Sequence, residues 1–150
     1  MKIIQTAVAF SQWQCTQTKT IGFIPTLGAL HRGHLSLVVL SKQTCKLTVV
    51  SIFLNPTQFA PDEDFNSYPH TLDDDINMLE NLDVDVLFLP SVKEMYNKVE
   101  DVKVPHTPLF DKLEGASRPH FFYGVTTIVA KLFNVIKPTH AFFGQKDAQQ

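Results

Sequence analysis

Apolar residues along this chain gather in short blocks, and the blocks are of two kinds. IGFIP (Ile21–Pro25), KLTVVSIFLNP (Lys46–Pro56), DVDVLFLP (Asp83–Pro90) and THAFFG (Thr139–Gly144) are brief and nearly continuous in apolar residues. That is the pattern of strands covered on both faces, and Pro25 reads as the end of the first. Between them lie HLSLVVLSKQTC (His34–Cys45), TLDDDINMLENL (Thr71–Leu82) and VTTIVAKLFNVI (Val125–Ile136), which have helical length. Leu35, Val38 and Val39 fall on one side of the first of these, and Thr71 reads as an N-cap followed by acids in the first turn. The stretch from Ser91 to Pro119, with Pro105, Pro108 and Pro119, reads as irregular, and GQKDAQQ opens what reads as a helix N-terminus at residue 144.

Strands alternating with helices predict a parallel sheet with right-handed crossovers, a doubly wound, Rossmann-like α/β layer spanning residues 1–150. Ligands of such sheets sit beyond the carboxyl ends of the strands. The unusual polar motifs of this chain all fall there: after Ile24, after Leu54 and after Phe143.

Composition changes this picture little. With 44% hydrophobic and 19% charged residues, 150 residues can bury a core. A net charge of −2 without a basic block speaks against nucleic acid and anionic membrane as partners. Lys2 precedes apolar residues, but Gln5 and Thr6 break that run, so no signal peptide is read, and no stretch has the length of a membrane span. Cys15 and Cys45 form no CxxC pattern and read as buried, reduced thiols of a cytoplasmic protein.

The chemistry concentrates in PTLGALHRGHLSLV (Pro25–Val38). Gly28 and Gly33 let the backbone approach a ligand, and a helix start there offers N–H groups and positive dipole to a phosphate. His31 and His34, three apart, share a helical face and can stabilise charge as a P–O bond breaks. GxxxxGK[ST] is absent, so this is no P-loop, and the glutamate and spacing of HExxH are missing, which disfavours zinc. A plain structural turn carrying surface histidines is the remaining alternative. In GQKD, Lys146 is placed as a point charge for phosphate and Asp147 for a ribose hydroxyl or a metal-bound water, making a second jaw opposite the first. Gln58 can both donate to and accept from a hydroxy acid. Asn55 and Pro56 read as a strand end, and Asp62, Glu63 and Asp64 as a solvated loop. Asp73, Asp74 and Asp75 read as helix-start charges, Asp75 being the one that could reach magnesium through water. Arg118 is a candidate for a phosphate or carboxylate; His120 has no assigned role, and His70, His106 and His140 read as ordinary residues.

The ordered set IPTLGALHRGHLSLV, VVSIFLNPTQF, SYPHTLDDDINML, LFLPSVKEMY, LEGASRP, GVTTIVAKLFNVIKP and FFGQKDAQQ resembles the pantoate–β-alanine ligase family of the HxGH nucleotidyltransferase superfamily, from Met1 to Gln150. The resemblance implies an AMP-forming ligase. Pantoate attacks the α-phosphorus of ATP to give pantoyl adenylate and pyrophosphate, and β-alanine then displaces AMP to give pantothenate. It implies that Leu27, Gly28, Ala29, Leu30, His31, Arg32, Gly33 and His34, with Gly144, Gln145, Lys146 and Asp147, grip ATP. By the same resemblance His34, His31 and Lys146 are the catalytic groups. Pro25, Leu27, Gln58 and Gln150 hold pantoate, Gln58 also lies near β-alanine, and Mg²⁺ accompanies the ATP. A homodimer is expected.

Several positions depart from the family pattern. Leu27 stands for a methionine, Arg32 for an acid, Gln145 for a glutamate, and Phe121 and Tyr123 for a histidine and an arginine. The family's later serine-rich signature and small C-terminal lid domain lie outside these 150 residues, so the sequence reads as a fragment of a longer protein, truncated at its C-terminal end; were it the whole polypeptide, weak nucleotide binding and very low turnover are expected. Another HxGH nucleotidyltransferase, or a ligand-binding remnant without turnover, are the competing readings.

Overall fold

The computed structural model describes residues 1–58, 71–97, 104–118 and 121–149. The elements run β1 (Lys2–Ile4), α1 (Ala7–Cys15), β2 (Ile21–Thr26), α2 (Arg32–Thr44), β3 (Leu47–Ile52), α3 (Leu72–Asn81), β4 (Val86–Phe88), α4 (Val92–Asn97), α5 (Glu114–Ser117), α6 (Phe121–Ile136) and β5 (His140–Ala141). Short 3-10 turns occupy Pro56–Gln58, Pro108–Asp111 and Gln145–Asp147.

All five strands are parallel, in the order β1-β4-β3-β2-β5. From β2 the chain steps one way to β3 and β4, then returns past β2 to lay down β5 on its other side. The β2–β5 boundary is therefore the switch point of the sheet, where the loops leaving the two strands part and open a crevice.

Strand side chains alternate between two cores, as a doubly covered sheet requires. Phe23, Val49, Val86 and Phe88 face Phe10 of α1, Met95 of α4 and Ile128, Leu132 and Ile136 of α6. Ile24, Val50, Ile52 and Leu87 face Val38 of α2 and Leu79 of α3. Phe10 meets both Trp13 and Phe88 edge-on, with ring centroids 5.3 and 5.2 Å away.

Three boundaries and one cap bond differ from the sequence reading. Pro25 lies inside β2 rather than ending it: β5 pairs only with Gly22 and Phe23, so Pro25 faces no partner on that side and its missing N–H costs nothing there. Helix α2 begins at Arg32, ahead of His34, because His31 caps it. Thr71 makes no side-chain cap bond to its helix; its hydroxyl donates to Asp75 instead. Helix α6 starts at Phe121, and the supposedly irregular stretch from 91 holds α4, α5 and a 3-10 turn. The strand β1 and the helix α1 carry too weak a pattern to be read from sequence. Cys45 is buried as expected, but Cys15 is exposed.

Candidate active site

The loop leaving β2 is built on its backbone. The Thr26 hydroxyl donates to the Ser51 carbonyl at 2.8 Å and accepts the Gly28 N–H at 3.3 Å. The chain then takes two left-handed residues in succession, Gly28 at φ +92° and Ala29 at φ +50°. A side chain at 28 would also press within 3.2 Å of both Asp75 and Ile52, so glycine answers a backbone and a space requirement at once. The turn exposes two consecutive amides, and Asp75 takes both: Oδ2 accepts from Ala29 at 2.9 Å and Oδ1 from Leu30 at 2.7 Å. Asp75 is 2% exposed.

This occupation of Asp75 replaces the expected one. A buried carboxylate with both oxygens engaged by backbone N–H groups, and absent from the cavity lining, is not set up to reach magnesium through water. Among the described residues no group of three or more His, Cys, Asp or Glu could hold a metal ion.

Beyond Leu30, whose side chain turns into the core, two imidazoles start α2. His31 is the N-cap, and its Nδ1 accepts the Gly33 N–H at 3.0 Å. The His34 Nδ1 reaches back to accept the His31 N–H at 3.3 Å, and the ring centroids lie 4.1 Å apart. It is a capping box with imidazoles in place of the usual hydroxyl and carboxyl groups. Gly33 is needed for proximity, since a Cβ there would come within 2.8 Å of the His31 ring. Because each Nδ1 accepts, the neutral rings must carry their proton on Nε2, which leaves an Nε2–H donor on each for a ligand. Burial lowers the pKa of His34 below the ordinary imidazole value, and repulsion from His31 and Lys146 adds to the effect, against opposition from Asp147 and Asp75.

Across the switch point, Phe142 donates its N–H to the Phe23 carbonyl at 2.9 Å, and the chain turns at Gly144 into Gln145–Asp147. Lys146 Nζ lies 2.7 Å from Asp147 Oδ1, an ion pair between neighbours in which the lysine side chain stays exposed. His31, His34, Lys146 and Asp147 line one cavity of about 430 Å³, shared with Pro25, Leu27, Ala29, Gln58 and Gly144. Most of the remaining lining is apolar: Val125, Ile128, Val129 and Leu132 of α6, with Phe53, Phe142 and Phe143.

The two jaws read from the sequence thus converge. Gly28 and Gly33 contribute backbone rather than lining, while Arg32 and Gln145 are exposed and lie outside the lining. Arg118 does line the cavity, its guanidinium 4.2 Å from the Phe121 ring centre. Gln150, His70, His120 and the acids at 62, 63 and 64 lie outside the described residues. Asp75 as a backbone clasp, and Asn55 as a fully buried hub beside Gln58, were not legible from sequence. A buried Asn or Asp in a polar stretch has no signature that separates it from a loop residue.

A parallel α/β sheet with cationic and N–H donors gathered in a cavity at its switch point belongs to the Rossmann-like nucleotide-binding class. Comparison with known proteins narrows the class. Residues 2–150 match the family described as pantoate-beta-alanine ligase, and the chain belongs to that family. The pantothenate synthetase of Fervidobacterium nodosum is 53% identical over 153 residues, covering 100% of this chain and 55% of the relative. The pantoate–beta-alanine ligase of Saccharomyces cerevisiae is 49% identical over 164 residues, with 100% and 53% covered. The crystal structure of the Francisella tularensis pantoate-beta-alanine ligase, complexed with beta-gamma ATP and beta-alanine, superposes with a TM-score of 0.93 at 42% identity. That match covers 100% of this chain and 59% of the other. The chain spans about half the length of the curated relatives it matches.

Proposed function

We propose that residues 1–150 form the ATP- and pantoate-binding domain of an enzyme that condenses (R)-pantoate with β-alanine through pantoyl adenylate. The observation that carries the reading is the convergence of His31, His34 and Lys146 on one cavity that Gln58 and apolar side chains of α6 also line. In the first step a carboxylate oxygen of pantoate forms a bond to the α-phosphorus and the bond to pyrophosphate breaks. The carboxylate is already ionised at neutral pH, so this step needs position and charge neutralisation rather than a general base. The two Nε2–H donors, the Lys146 ammonium and the N-terminus of α2 supply that neutralisation along the triphosphate. In the second step the β-alanine amine bonds to the acyl carbon, AMP departs with the electron pair, and the amine loses a proton.

Gln58 and the α6 wall suit an acid with a hydroxyl and a branched apolar body: the carboxamide serves the oxygens, and Val125, Ile128 and Val129 the methyl groups. Gln150 is assigned to pantoate on family resemblance alone. Magnesium enters the proposal only as a companion of the nucleotide's phosphates, since Asp75 is engaged elsewhere, and no step is routed through it. A cytoplasmic homodimer completes the reading. Among the described residues no helix is long and apolar enough to cross a membrane, and sedimentation of the purified chain tests the dimer.

Calorimetric titration with a non-hydrolysable ATP analogue and then with (R)-pantoate tests the proposal. Nucleotide binding that weakens in Lys146→Ala, followed by pantoate binding at the Gln58 side, is expected. Preference for a phosphorylated acceptor over pantoate would instead make this another nucleotidyltransferase.

A further inference from the structure

Behind Gln58 lies a buried polar chain that the chemistry above leaves unused. Asn55 is fully buried, and its Oδ1 is met by three donors: the Tyr96 hydroxyl, the Thr57 hydroxyl at 3.0 Å and the Thr57 N–H at 3.4 Å. Its Nδ2 faces the Gly124 carbonyl at 3.1 Å, which can only accept. The two sides of the Asn55 amide are therefore fixed without ambiguity. Nδ2 also donates to Gln58 at 3.4 Å, so the Gln58 atom on that side must be Oε1, and Gln58 presents its NH₂ group away from Asn55.

Tyr96 is in turn backed by Lys131 of α6, which is 2% exposed. The Lys131 ammonium donates to the Met95 carbonyl at 3.1 Å and sits 4.7 Å from the centre of the Tyr96 ring. A cation on the face of a phenol draws electron density from the ring and strengthens the hydroxyl as a donor. Neither Tyr96 nor Lys131 lines the cavity. Burial, the largest influence on the Tyr96 pKa, raises it and keeps the hydroxyl protonated, against smaller opposing effects of Thr57 and Asn55.

We propose that Lys131 and Tyr96 are positioning residues: through Asn55 they lock Gln58 with its NH₂ group toward the cavity, so that the acid substrate is recognised there through an oxygen acceptor. This rests on the assignment of Gln58 to the acid substrate, and it adds the polarity of that contact and the residues that set it.

The test uses the whole 150-residue chain with labelled side-chain amides, followed by NMR, and two variants that lie outside the cavity. Tyr96→Phe removes the hydroxyl, and Lys131→Met removes the ammonium, both its charge and its hydrogen bond to the Met95 carbonyl. In the unliganded protein, Tyr96→Phe should speed solvent exchange of the Asn55 and Gln58 side-chain NH₂ groups about tenfold, the equivalent of one lost hydrogen bond. Backbone amides of β2 and β3 should keep their protection, and Lys131→Met should fall between wild type and Tyr96→Phe. With the ATP analogue saturating, (R)-pantoate should bind about tenfold more weakly to Tyr96→Phe while the nucleotide's affinity stays within about twofold. Side-chain amides unchanged in both variants overturn the proposal. So does a parallel loss of nucleotide and pantoate binding, which a merely structural role would give. Should wild type bind no pantoate, the ligase reading fails by itself, and the amide exchange in the unliganded protein still decides whether Gln58 is locked.

Discussion

Asp75 accepts the amide hydrogen of Leu30 at 2.7 Å across forty-five residues of sequence. The bond ties the first turn of α3 to the loop between β2 and α2, and a second bond to the neighbouring Ala29 amide makes the tie two-pronged. Two left-handed residues precede the histidines, and such a turn persists only where its surroundings hold it. Asp75 is what holds it here, so the carboxylate acts on the site at one remove, through the backbone that presents both imidazoles.

Asp75→Asn keeps the shape but turns an NH₂ group toward one of two N–H donors. The variant should lose roughly 1–3 kcal/mol of stability. Because the loop carries His31 and His34, ATP-analogue affinity should fall in the same variant. Denaturant unfolding and titration, run side by side, check both; a variant that unfolds earlier yet binds nucleotide normally would contradict the link.

His31 caps α2 through Nδ1, while the proposed nucleotide contact would use Nε2, and substitutions can separate the two. His31→Asn retains an acceptor near Nδ1 and lacks the donor at Nε2, so stability should stay close to wild type while nucleotide affinity drops. His31→Ala should lose both, with roughly 1 kcal/mol from the missing cap. Thermal unfolding with and without the ATP analogue distinguishes the two outcomes.

His34 has its pKa lowered in the folded chain, chiefly by burial. Between that value and the unfolded imidazole value of about 6.5, the unfolded chain binds more protons, so stability rises with pH there. The stabilising contribution is complete above about 6.5 and is lost as pH falls through the lowered value. Protonation also puts a hydrogen on Nδ1, where the His31 amide already points. Unfolding curves from neutral to mildly acidic pH should lose this slope in His34→Asn. Bound triphosphate brings negative charge and should raise the His34 pKa, so nucleotide binding near pH 6.5 should take up protons, measurable by calorimetry in buffers of different ionisation enthalpy.

Gly124 lets α6 approach the turn that carries Gln58: an added Cβ would stand 2.5 Å from the Thr57 carbonyl oxygen and 3.0 Å from the Gln58 amide nitrogen. Both are backbone atoms, so the strain cannot be relieved by a rotamer change. Gly124→Ala should cost about 1–3 kcal/mol and should weaken pantoate binding more than nucleotide binding. Equal weakening of both would place the damage elsewhere.

The order of apolar blocks by itself determined the parallel α/β layer, because strand and helix periods are local properties of the chain and each block carries enough of its own. The same reading located the two motifs that line the cavity, since a glycine beside a histidine or lysine at a strand end is visible in one line of sequence. What needed tertiary structure were relations between distant residues. Asp75 looked like one of three helix-start acids until folding brought its carboxylate to the Ala29 and Leu30 amides. Pro25 looked like a strand terminator until the shortness of β5 left its side of β2 unpaired. Asn55, Tyr96 and Lys131 lie on three separate segments, and only their packing together gives the Gln58 amide a direction. Local pattern fixes which way each segment coils, whereas the partner of a buried polar atom is set by whatever the packing brings within hydrogen-bond reach.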